Sequence, residues 1–178
     1  MDRFLAAYGE PRTYVEVQAK LLKKYSFLPP EVLDVWKKHG LTAYKDGLLW
    51  FTNPDEYAES VKSLLGKHST CVARTAFGDM ICFDDPEHWS YFDAYTLHVA
   101  EYHASYNTLF NLLMTEAEWM QVITLVKQFK KALKKLGPLK PDEVYSFVPH
   151  PALGGSGDVS TLKKARIFEY LEIIAQLR

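Results

Sequence analysis

The chain has 178 residues, 48% of them hydrophobic and 14% aromatic, with a formal net charge of −1. That length suits one large domain or two small ones sharing a core, with enough apolar surface to fold without disulfide staples. No run reaches the ~20 apolar residues of a membrane span, and the opening Met1-Asp2-Arg3-Phe4 has no apolar stretch ahead of a small-residue cleavage site, so a soluble cytoplasmic protein is expected.

In chain order, Thr13 and Glu16 have the spacing of a capping box and predict a helix over 13–25, with Val15, Ala19, Leu22 and Tyr25 at threes and fours. Pro29 and Pro30 stop one element and start the next, a helix carrying Val32, Leu33, Val35 and Trp36 that ends at Gly40. Asp46-Gly47 between two strand-like runs predicts a hairpin over 42–51. Asn53 caps the following helix, Pro54 takes its first position, and Asp55 and Glu56 face the positive end of its dipole. Tyr57, Val61, Leu64 and Leu65 form the buried stripe of that helix, and Gly66 ends it.

Residues 71–83 hold two apolar runs around Gly78-Asp79, a strand, a turn and a second strand in the middle of a sheet. Cys71 and Cys82, the only cysteines, lie one in each strand; nothing fixes the register, and buried free thiols in a reducing compartment are expected. Over 89–106, Tyr95, Leu97 and Val99 alternate with Thr96, His98 and Ala100, which predicts one further strand. A short helix over 108–114 leads to a second capping box, Thr115 with Glu118. Behind it Trp119, Val122, Val126, Phe129, Leu133 and Leu136 predict about five helical turns, ended by Gly137-Pro138. A strand over 144–148 runs into a glycine-rich loop, and a last helix is predicted from about Thr161 with Leu162, Ala165, Phe168, Leu171 and Ile174. The expected class is α+β, with a mixed or antiparallel central sheet built from hairpins and packed against several helices.

Charge is unevenly placed. Residues 75–126 carry no Lys or Arg but eight carboxylates: Asp79, Asp84, Asp85, Glu87, Asp93, Glu101, Glu116 and Glu118. Two readings compete: solubilising charge spread over the surface, or a patch complementary to a basic partner, steering encounter and partner choice. The lysines at 127, 130, 131, 134 and 135 read as the solvated face of a helix. Direct nucleic-acid binding is not expected, because the acidic centre repels phosphate.

Other motifs fall short of a site. The run Gly154, Gly155, Ser156, Gly157 lacks the Gly-Lys-Ser/Thr of a phosphate loop, the third glycine of a dinucleotide fingerprint and the second glycine of a nucleophile elbow, so a turn is expected. His98 and His103 point to opposite faces of a strand, and no metal or cofactor is expected. Asp79 with Asp84 and Asp85 could form an acid–base pair only in a shaped pocket; the simpler reading is that Asp79 caps its own turn.

The ordered set Tyr8-Gly9-Glu10-Pro11, Leu28-Pro29 with Trp36 and Gly40, Gly47 with Trp50, Asn53-Pro54 with Tyr57, Arg74 through Gly78-Asp79, and Phe147-Val148-Pro149 with Ala152-Leu153-Gly154-Gly155-Ser156 resembles the GAD-like family. Its members join a GAD-like N-terminal region to a C-terminal domain found in immunity proteins of type VI secretion DNase effectors. The resemblance spans nearly the whole chain and implies a GAD-like N-terminal region over 1–103 and an immunity-type C-terminal domain over 104–178, packed together as one compact unit. His150 departs from the pattern. The resemblance implies a binding protein without catalytic residues, an immunity protein that neutralises a cognate nuclease toxin by occluding its basic active-site region. Asn53, Pro54, Gly78, Asp79, Gly154 and Gly155 then serve as structural caps and turns. On the charge pattern, Asp84, Asp85, Glu87, Trp89 and Asp93 are the candidate partner-binding residues, with Trp89 as an aromatic anchor. Two alternatives stand: a small-ligand or regulatory module using the glycine loop, and a hydrolase using Asp79 and a histidine.

Overall fold

The computed structural model describes residues 2–178. Seven strands, β1 (Arg12–Val15), β2 (Leu41–Tyr44), β3 (Leu49–Phe51), β4 (Thr70–Thr75), β5 (Met80–Asp85), β6 (His88–Asp93) and β7 (His98–His103), form one sheet in sequential order, every pair antiparallel. A separate hairpin joins β8 (Glu143–Phe147) to β9 (Leu162–Arg166). The helices are α1 (Asp2–Tyr8), α2 (Ala19–Lys24), α3 (Pro30–His39), α4 (Pro54–Leu65), α5 (Tyr106–Asn111), α6 (Val126–Leu136) and α7 (Ile167–Ala175). The fold is α+β.

The central strands are buried on both faces, which is why they read as continuous apolar runs rather than as alternation. Ile81, Phe83, Trp89 and Tyr91 face a large core with α1, α3, α5 and α6, while Met80, Cys82, Cys71 and Phe92 face a smaller one with α4 and α7. Cys71 and Cys82 are register partners across β4 and β5, and both are free thiols. Arg74, 1% exposed, lies 4.7 Å over the Trp50 ring and donates to the carbonyls of Thr75, Pro141 and Glu143, tying the sheet to the C-terminal segment.

Local signals hold where backbone chemistry is explicit. Asn53 accepts from the Asp55 amide at 3.2 Å, Pro54 opens α4, and Gly66 closes it in the left-handed region. Four expectations change. Thr13 belongs to β1, paired with Thr42, and its hydroxyl donates to the His39 carbonyl at 2.6 Å instead of capping a helix; the helix starts only at Ala19. Residues 89–106 form two strands rather than one. Asp93 accepts from the amides of Tyr95 (2.8 Å) and Thr96 (3.1 Å), Leu97 has φ of 60°, and the alternation read there straddles a turn.

The five-turn helix is also broken. The Thr115 hydroxyl bonds back to the carbonyls of Asn111 and Leu112, a π turn spans Trp119–Ile123, and Leu125 sits in the left-handed region before α6. The break buries Trp119 against Tyr91 and Tyr102 while Val122 is exposed. Finally, residues 162–166 pair with β8 before α7 begins at Ile167, the three-residue apolar spacing having mimicked a helix.

Candidate functional site

β5 and β6 are joined by a tight turn at Pro86-Glu87. Asp85 closes it: its Oδ1 accepts from the Glu87 amide at 3.0 Å and lies 2.6 Å from His88 Nδ1. The Glu87 amide first, and then His88, hold the Asp85 carboxyl below its ordinary range, so it is charged at neutral pH. Its side chain is 53% exposed, and Glu87 is exposed beside it. The Ala104 amide donates to the Glu87 carbonyl at 2.8 Å, fixing the turn against the start of α5, where Ser105 caps through Thr108.

The remaining sequence candidates lie elsewhere. Asp84 points away from Asp85 and is held by Lys67 (3.1 Å), Ser90 (2.6 Å) and Ser69; Lys67 also reaches Glu101 at 3.0 Å. Asp93 serves the β6–β7 turn. Trp89 is a correction: it is 0% exposed, packed edge-on to Phe83 (5.2 Å) and Phe110 (5.5 Å), because alternation along β6 sends it into the larger core. It cannot serve as a surface anchor.

An exposed aromatic does share a groove with Pro86, the residue between Asp85 and Glu87, but it comes from a distant part of the sequence. Phe27, 58% exposed, follows α2 and lies 6.4 Å from Phe83 between ring centroids. It borders a groove of about 260 Å³ lined by Leu28, Pro29, Phe83, Pro86 and Tyr106, with Glu31 as its charged residue. Phe27 sits in a connection with no periodicity, so only three-dimensional adjacency reveals it. A larger cleft, about 510 Å³, opens near β1 between Tyr14, Tyr57 and Phe168. Its charges are mixed: Asp55 is tied to Lys24 and Tyr25, Asp142 to Arg166, and Glu16, Glu56 and Lys20 also line it.

Asp79 is sealed in the fold, 2% exposed, accepting from the Thr75 hydroxyl and from the Ala94 amide at 2.9 Å. Burial, then the Asp93 charge, pushes its carboxyl up to about 7, against the opposing bonds from Thr75 and Ala94. It lines neither cavity, which removes the access a hydrolase using Asp79 would need. Gly78 has φ of 91° in the same turn, against Tyr170. His150 Nε2 lies 2.8 Å from the Ala94 carbonyl while its Nδ1 accepts from the Ala152 amide, so the departing residue links the last loop to the β6–β7 turn, whose Ala94 amide donates to Asp79. In that loop Gly154 takes a left-handed φ of 80°, and a Cβ on Gly155 would meet the Pro149 carbonyl at 2.0 Å; the loop closes on its own backbone. Among the described residues no three His, Cys, Asp or Glu side chains are grouped to hold a metal ion, and no helix is long and apolar enough to cross a membrane.

A family model described as GAD-like domain matches residues 1–90, and one described as T6SS immunity protein Tdi1, C-terminal, matches residues 103–178. No protein of curated function matches significantly. Among solved structures, the crystal structure of Atu4351 from Agrobacterium tumefaciens is similar, with 22% identity over 98% of this chain and 88% of that chain and a TM-score of 0.76; at this identity the likeness speaks for the fold.

Proposed function

The chain belongs to the GAD-like family and ends in an immunity domain of type VI secretion, and from that premise we propose that it binds and neutralises a cognate secreted nuclease toxin by covering the toxin's basic active-site region. The observation that carries the surface assignment is the pair Asp85 and Glu87, both exposed on a hydrogen-bonded turn in a stretch without Lys or Arg, Asp85 keeping its exposure while it meets His88. A nuclease holds phosphate with positive charge, and an exposed carboxylate pair competes for it. Asp84 and Asp93, engaged in the fold, add only to the field. This is a binding role, and no group in it transforms a substrate.

The test is the double reversal Asp85→Lys with Glu87→Lys, assayed by growth rescue on co-expression with the toxin and by binding kinetics. Association is expected to slow by roughly tenfold and its salt dependence to flatten, since peripheral charges act mainly on the on-rate. Unchanged affinity together with unchanged salt dependence would remove these two residues from the interface. The second reading, a small-ligand module, draws support from the larger cleft, whose volume of about 510 Å³ lies within the ~300–1,000 Å³ of small-molecule sites. A metabolite screen by thermal shift, flat throughout, counts against it.

A further inference from the structure

The groove beside Phe27 differs from an acidic surface in the kind of contact it offers. Phe83, Leu28, Tyr106, Pro29 and Pro86 line it, and among the described residues no Lys or Arg does. At about 260 Å³ it falls below the ~300–1,000 Å³ of small-molecule sites and suits one large side chain. Its surroundings are negative: Glu31 lines it, and Asp85 and Glu87 flank Pro86 in sequence. An apolar pocket with charge at its edge is an arrangement in which a desolvated anchor carries most of an interface's energy while the polar rim selects the partner.

Resting on the immunity reading above, we propose that this groove captures one aliphatic or aromatic side chain of the toxin, flanked in the toxin's own sequence by Lys or Arg, with Phe27 closing over it. Charge complementarity selects this occupant: a second copy of this chain would bring the same carboxylates against Glu31, Asp85 and Glu87, and like charges at an interface repel. The groove and the turn then divide the work, the turn governing how fast the partners meet and the groove how long they stay.

The experiment measures toxin association and dissociation rates for wild type, Phe27→Ala, Phe27→Leu and the Asp85→Lys/Glu87→Lys double variant, with sedimentation of each protein alone. Phe27 is exposed, so its variants are expected to fold, and circular dichroism checks this. Phe27→Ala is expected to raise the dissociation rate by about tenfold with little effect on association or salt dependence, and Phe27→Leu to retain most of the wild-type lifetime. A dissociation rate within about twofold of wild type for Phe27→Ala, while wild type still holds the toxin, overturns the groove and leaves the immunity reading standing. A wild-type dimer abolished by Phe27→Ala overturns it in favour of self-association. No binding of the toxin by wild type overturns both readings together.

Discussion

Asp79 shows how far a residue's neighbours can move it from its sequence-level meaning. A Gly-Asp step marks a turn in any sequence, but the fold closes over this carboxyl and raises it from 3.8 to about 7. The native state therefore holds a proton that the unfolded chain releases near pH 4. Stability from this group is complete below the unfolded value and is lost as pH rises through about 7, an effect on the order of a few kcal/mol. Urea midpoints are expected to fall between pH 5 and pH 8, and Asp79→Asn, which imitates the protonated form, to flatten that slope. An unchanged slope in the Asn variant would assign the pH dependence to other groups.

At the scale of elements, legibility followed backbone chemistry. The start of α4 could be read because Asn53 and Pro54 act on their immediate neighbours, and Asn53→Ala is expected to cost about 1 kcal/mol and lower the melting temperature by ~2–4 °C in a scan. Thr13 with Glu16 had equally good spacing but failed, because β2 offered Thr13 a strand partner and His39 offered its hydroxyl a carbonyl. Tyr95 and Leu97 kept period two while Asp93 was folding the chain back on itself. Trp119 and Phe129 kept helical spacing across a break that only the sheet beneath Trp119 explains. The candidate site divides the same way: Asp85 and Glu87 are visible as charge, whereas the burial of Trp89 and the arrival of Phe27 depend on which face of β6 points inward and where the α2–α3 connection lands.

For the whole molecule, the larger core runs from Phe4 to Leu162 and combines residues from both matched segments. Unfolding in urea is expected to be one cooperative transition, coincident by tryptophan fluorescence and by circular dichroism, and residues 1–103 expressed alone to lack it. Two separated transitions would show instead that the segments hold themselves up independently.

Arg74 bears on how firmly the C-terminal segment is held to the sheet. Its guanidinium is met by the oxygens of Thr75, Pro141 and Glu143 and by the Trp50 ring. Sliding residues 141–143 away would strand a naked cation in apolar protein, a far larger penalty than a docking event normally offsets. Residues 141–143 are therefore fastened in place before any encounter, and under the proposed binding role recognition is expected to run as one finished shape against another, with little remodelling of this segment on contact.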